Sequence, residues 1–266
     1  MKNKIYFFNL LHNLRINISL LLLNFLLKFK KNSSILKKLK LIFLSFKEKG
    51  YCKVEKFYTN NEIQYLQNLL LKDTSNYKEI ENKNIDLEVK EGMMKIKHIE
   101  NIKPEIKRFL NSLEFILIST FFYFKFKRCI SILSLSQSGD NQIQGLKGKC
   151  IEPIANIPHV DSFKPFLKGI IFLEDVNIEN GPTAIYPKSV TSKFIKEYTS
   201  LHKNKDTQWS KENIYAFLSQ NQKEIIKNDS KVLTGKKGDL ALFDSRDIHW
   251  ATDLKLGSRK VLHLYF

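Results

Sequence analysis

The chain has 266 residues, 43% of them hydrophobic, and carries a net charge of +17 from 44 Lys+Arg against 27 Asp+Glu. That length suits one catalytic domain with some elaboration or two small domains, and the apolar content excludes a disordered protein. The basic excess admits nucleic acid, an anionic membrane or acidic substrates, but only five of the 44 are Arg, the residue expected to grip phosphate or bases in fixed geometry, so nucleic acid is not expected as a partner.

Residues 1–49 read as a helical, apolar-basic extension. They hold eleven Lys/Arg and one acidic residue, Glu48, and so carry +10 of the total charge. The apolar run Ile16–Leu27 is interrupted by Asn17 and Asn24 and is shorter than the ~20 residues of a membrane span. Lys28, Lys30 and Lys31 follow it, where a signal peptide would place small residues. Two readings stand: a helix packed on the catalytic domain, or a basic amphipathic anchor in peripheral contact with an anionic membrane.

Gly50 opens a second region, 50–266. GYCKVEKFYT reads as a short strand and turn. Thr59 with Glu62 forms a capping box, Tyr58 and Ile63 a hydrophobic staple, and Ile63, Leu66, Leu69 and Leu70 an apolar helix stripe. Residues 73–92 read as a polar loop. Pro104 suits the first turn of another helix, continued by Ile106, Phe109, Leu110 and Leu113. From Cys129 the period changes to that of a half-buried strand, followed by a loop from SGDNQ at 138–142. Strands are expected in KGIIFLEDV (168–176), TAIYP (183–187), GDLALF (238–243) and RKVLHLYF (259–266), with a helical insert at about 190–228. Helices first and turn-separated strands after them predict an α+β domain, a jelly-roll or cupin-like barrel with flanking N-terminal helices. The three cysteines, Cys52, Cys129 and Cys150, show no CxxC spacing, so a reducing, cytoplasmic compartment is the expectation.

The chemistry centres on His159-Val160-Asp161. Residues i and i+2 of a strand point to one face, so the imidazole and carboxylate can converge on one metal ion. His249, after GDLALF, offers the third ligand. Two histidines and one carboxylate leave open positions that suit non-haem iron(II), a bidentate 2-oxo acid and dioxygen. Arg259 follows ten positions later on the next strand. A buried guanidinium needs a carboxylate partner, and 2-oxoglutarate carries one.

The order H-x-D, an Asn-Gly turn, G-D-x-x-x-F, His and then Arg resembles the phytanoyl-CoA dioxygenase-like family of Fe(II)/2-oxoglutarate-dependent oxygenases. The matching stretches are HVD (159–161), LEDVNIENGP (173–182), KKGDLALFDSRDIHWATDLKLGSR (236–259) and, more loosely, GYCKVEKFYTNNEIQYLQ (50–67). The resemblance implies a double-stranded β-helix, His159, Asp161 and His249 as iron ligands, and Arg259 as the 2-oxoglutarate contact. It also implies a second cofactor contact from a lysine, for which Lys95 and Lys168 are the candidates. The family often carries Pro-Gly-Ser-His after the Asn-Gly turn; Pro187-Lys188-Ser189-Val190 stands here instead. Asp161, absent from some halogenating relatives, points to hydroxylation of a small-molecule or lipid-like substrate. The competing expectation is a metal-free jelly-roll binding module held on a membrane by residues 1–49.

Overall fold

The alternating apolar and small polar residues of the C-terminal half form two antiparallel sheets in the computed structural model, which describes residues 2–71, 87–90, 93–125, 129–137, 158–161, 167–189 and 219–266. The strands are β1 (Tyr51–Val54), β2 (Leu87–Lys90), β3 (Met93–Lys97), β4 (Ile130–Gln137), β5 (Leu167–Phe172), β6 (Thr183–Tyr186), β7 (Lys231–Leu233), β8 (Leu240–Asp244), β9 (Ile248–Ala251) and β10 (Ser258–Tyr265). Seven make the larger sheet in the order β1-β8-β5-β10-β4-β3-β2, and three make the smaller, β7-β6-β9. The backbone at His159 extends the smaller sheet, exchanging both amide hydrogen bonds with His249 at 3.0 and 2.9 Å. Sheet-switching between successive strands makes this the expected double-stranded β-helix, or jelly roll.

The two-residue period of a strand divides the larger sheet into two faces. On one face Leu133, Leu135, Leu167, Ile171, Leu240, Leu242, Leu262 and Leu264 are buried beneath the helices. On the other, Ile170, Phe172, Ala241, Phe243 and Val261 pack with Ile185 and Leu233 of the smaller sheet. That second, smaller core fills one end of the barrel interior and leaves the other end to polar side chains. Gly169 faces the larger core, where a Cβ would meet the Leu242 and Leu264 side chains at 3.2 Å. Gly235 lies so close to the Phe172 ring that a Cβ there would meet it at 2.6 Å.

The helices are α1 (Lys2–Phe29), α2 (Ser34–Lys49), α3 (Asn60–Leu71), α4 (Ile99–Ile102), α5 (Ile106–Leu110), α6 (Leu113–Tyr123) and α7 (Gln220–Asp229). Ser33 caps α2, whose end is turned by Gly50 at φ 82°, a left-handed conformation that glycine adopts without strain. Strand β1 starts at the next residue, so the extension joins the sheet with no linker. Ile16, Leu20 and Leu23 of α1 and Leu39, Ile42, Phe43 and Phe46 of α2 belong to the larger core. Ser19 Oγ donates to the Phe121 carbonyl of α6 at 2.5 Å. The capping box of α3 forms as expected: the Thr59 amide donates to Glu62 Oε2 at 2.8 Å, and the Glu62 amide to Thr59 Oγ1 at 3.3 Å.

Three local expectations are corrected. Strand β2 lies inside the stretch 73–92 read as loop, paired with β3. Strand β9 stands between the two strands expected to be last, so His249 sits within a strand. The helix expected from Pro104 through Leu113 ends at Leu110, and Ser112 caps a separate helix, α6, that starts at Leu113; the apolar residues of α6 surround its axis and give no amphipathic period. The loop at 138–142, Cys150 and residues 190–218 of the insert lie outside the described residues.

Candidate metal centre

His159 and His249 face each other because their backbones are paired across the edge of the smaller sheet; their ring centroids are 4.5 Å apart. Asp161 is positioned two residues on, its amide donating to the Ser245 carbonyl at 3.1 Å. Its Oδ1 lies 3.6 Å from His159 Nε2 and its Oδ2 3.3 Å from His249 Nε2. One ligand atom from each of the three lies within 4.8 Å of the other two, a spacing that fits a single ion. His249 Nδ1 sits 2.8 Å from the Asp247 carbonyl oxygen. A hydrogen on Nδ1 donates to that oxygen, which leaves the Nε2 lone pair directed at the ligand cluster.

The loop between β8 and β9 fixes His249. Arg246 is buried and folds back on Asp244, its Nε 2.9 and 3.0 Å from the two carboxylate oxygens and its second terminal nitrogen 2.5 Å from Oδ2. Burial alone would raise the Asp244 pKa, but the Arg246 guanidinium holds it below its ordinary value. Asp247 accepts the Lys188 amide at 2.9 Å, and Ser189 Oγ accepts the Ile248 amide at 2.6 Å. Lys188 and Ser189 belong to the segment that departs from the family pattern, and here they buttress the loop. Asp239 shapes a strand end as expected, accepting the Lys56 and Lys236 amides at 2.9 Å each.

Lys168, at the start of β5, is buried with its ammonium inside the cluster, 2.9 Å from Asp161 Oδ2 and 3.2 Å from His249 Nε2. Burial would raise the Asp161 pKa, yet Lys168 and His249 bring it well below the usual carboxylate value. Burial, with Lys168 beside it, lowers His249 to about 4, so its imidazole is neutral near pH 7, as metal ligation requires.

The triad opens on a cavity of about 100 Å³. Arg259, Lys95 and Lys168, the three cofactor candidates, all line it, as do His263, Ser134 and Trp250. They converge because Lys95 pairs in register with Ser134, Arg259 with Ser136 and Tyr265 with Lys168 across the larger sheet. Arg259 donates to the Gly181 carbonyl, the glycine of the Asn-Gly turn, and to Ser136 Oγ at 3.4 Å. Among the described residues, Ser134 Oγ and His263 Nδ1 are buried without a hydrogen-bond partner. Arg259 and the lysines with two orphaned polar atoms around one cavity suit an anionic, oxygen-rich ligand. Phe243 lies in the core, as expected, whereas Trp250 lines the cavity rather than the core. Arg246, Ser189 and Asp247 were not singled out in the sequence; only the Asp-Ser-Arg-Asp run before His249 signalled a polar loop.

Residues 157–259 match the family model described as phytanoyl-CoA dioxygenase (PhyH), which bears out the resemblance carried by the motifs. Solved structures share the fold. The epimerase SnoN, in complex with Fe3+, alpha ketoglutarate and nogalamycin RO, is 14% identical, with 86% of this chain and 83% of that one covered and a TM-score of 0.56. The carbocyclase SnoK from nogalamycin biosynthesis is 13% identical over 88% and 84%, with a TM-score of 0.55. EctD from S. alaskensis, with 2-oxoglutarate and 5-hydroxyectoine, is 14% identical over 84% and 73%, with a TM-score of 0.57. No curated protein matches the chain.

Proposed function

We propose that this chain is an iron(II)- and 2-oxoglutarate-dependent oxygenase that hydroxylates an unactivated C–H bond of a small-molecule or lipid-like substrate. The observation that carries the reading is the triad His159, Asp161 and His249, gathered on one cavity with the Arg259 guanidinium. His159 and His249 offer ring nitrogens and Asp161 the carboxylate, while Arg259, helped by Lys95, would pair with the distal carboxylate of the 2-oxo acid. When bound, iron(II) and 2-oxoglutarate supply dioxygen-dependent oxidation, with succinate and carbon dioxide as co-products. The protein's own part is to hold these groups in register and shield the cavity, with Trp250 and Met93 on its wall. SnoN, named an epimerase, and SnoK, named a carbocyclase, share this fold, which therefore does not select the outcome; Asp161 supports hydroxylation over halogenation.

The test is anaerobic addition of iron(II), then titration with 2-oxoglutarate while following the visible charge-transfer band. A saturable band, weakened in both Asp161→Ala and Arg259→Ala, is the expected result. Folded protein that gives no band would sink the proposal. One observation favours a second reading, the metal-free binding module: the Lys168 ammonium can neutralise Asp161 without an ion. The same titration separates the two readings. A cytoplasmic location, with peripheral membrane contact through the extension, is part of the proposal.

A further inference from the structure

Helix α1 is apolar on two opposite sides. Ile16, Leu20 and Leu23 face the larger core, whereas Phe7, Leu10, Leu14, Leu21, Phe25 and Phe29 are each more than half exposed. Steps of three, four or seven residues place these six on one helical face. Exposed Lys28, Lys30 and Lys31 lie at the end of that face and in the turn after it, and exposed Lys37 follows in the first turns of α2. Residues 1–47 hold ten Lys/Arg and no carboxylate. An apolar face on a segment whose charged residues are all cations is complementary to a bilayer with anionic headgroups.

We propose that the exposed face of α1 lies in the plane of an anionic lipid surface while its other face stays on the barrel. By length and composition alone Leu10–Phe29 could cross a membrane. Spanning would strip Leu23, which is fully buried, and the Ser19–Phe121 hydrogen bond from the domain, so the in-plane position is the one compatible with this fold.

The full chain is to be floated with phosphatidylcholine vesicles and with vesicles also containing phosphatidylserine, beside a Leu14→Glu/Leu21→Glu/Phe25→Glu variant checked by circular dichroism. The wild-type chain should rise with the anionic vesicles, less so at high salt, and the variant should lose about tenfold in bound fraction. Wild-type protein that stays with the soluble fraction, or a variant that floats equally well, overturns the proposal. A wild-type dimer that the variant dissolves assigns the face to a second copy instead.

A different observation concerns Lys168. Its ammonium touches two of the three ligands, at 2.9 and 3.2 Å, with the Tyr265 and Phe243 rings 5.1 and 5.8 Å away. Resting on the metal-centre reading above, we infer that Lys168 is a built-in counter-ion: it holds the triad together before metal arrives and sets how tightly metal is kept. A divalent ion drawn to the same carboxylate and imidazole is repelled by a fixed cation at this distance, and an Asp161 stripped of Lys168 needs the ion more.

Cobalt(II) titration, followed by its visible bands, compares wild type with Lys168→Met, which removes charge at similar volume. The variant should bind cobalt about tenfold more tightly, melt lower without metal, and gain more from it. Lys168→Arg, which keeps the charge, should show no such gain, and Lys168→Gln replaces the methionine variant if that does not fold. Equal or weaker binding by the neutral variant overturns the inference and leaves the metal centre standing. No binding by either chain defeats both.

Discussion

Arg259 and Asp161 serve different partners, so their substitutions should separate. Arg259→Ala is expected to raise the half-saturating 2-oxoglutarate concentration roughly 10- to 100-fold, the loss of a charge-assisted pair, with metal affinity little changed. Asp161→Ala is expected to lose the metal itself, read by metal analysis after gel filtration. Similar loss of metal in both variants would contradict the division of roles. Gly235→Ala tests packing: its methyl would collide with the Phe172 ring, and a destabilisation of ~1–3 kcal/mol should appear in urea unfolding. At this scale the triad and Arg259 were legible because i, i+2 geometry and motif order act over short distances. Arg246 was not, since nothing in the sequence says that its guanidinium folds back on Asp244. Lys168 was legible as a site residue, but its contact with Asp161 depends on barrel closure.

Among the elements, α1 is tied to the barrel partly by His12, which lies edge-on to Phe122 at 5.2 Å and has its Nδ1 3.8 Å from Asp244 Oδ2. Burial lowers its pKa from 6.5 to about 4, with Arg246 and Arg15 adding to the effect and Asp244 opposing it. A depressed histidine pKa means that the unfolded chain takes up a proton first. Stability is therefore full above about pH 6.5, falls as the pH drops towards 4, and then levels, for a loss of ~3 kcal/mol. His12→Gln should flatten that part of the profile; identical slopes for the two proteins would refute the assignment. Elements with a clear period or cap, such as α3 with its Thr59–Glu62 box, were legible. Strand β9 has four residues and β7 three, too few for an alternation to register, and α6 is apolar around its whole axis.

For the molecule as a whole, the barrel class followed from helices preceding turn-separated strands, but the strand partners did not. Tyr51 pairs with Phe243 and Lys95 with Ser134, choices made by the packing of two cores rather than by local propensity. Both cores share the larger sheet, so occupation of the cavity should stabilise the entire domain. Metal and 2-oxoglutarate, each at about 100 times its dissociation constant, should each add ~2.7 kcal/mol and raise the melting temperature by several degrees, reversibly on chelation. A melting temperature indifferent to both would count against the site.

Lys188 gives the N-terminal helices a bearing on the chemistry. Its ammonium donates to the Lys47 and Glu48 carbonyls at the end of α2, 3.1 and 2.7 Å away, while its amide holds Asp247, two residues before His249. With His12 beside Asp244, the same loop is gripped from two points on the extension. The extension thus works as a bracket for the ligand-bearing loop, and a chain cut at Gly50 would lose its metal by loosening His249 rather than by losing a ligand.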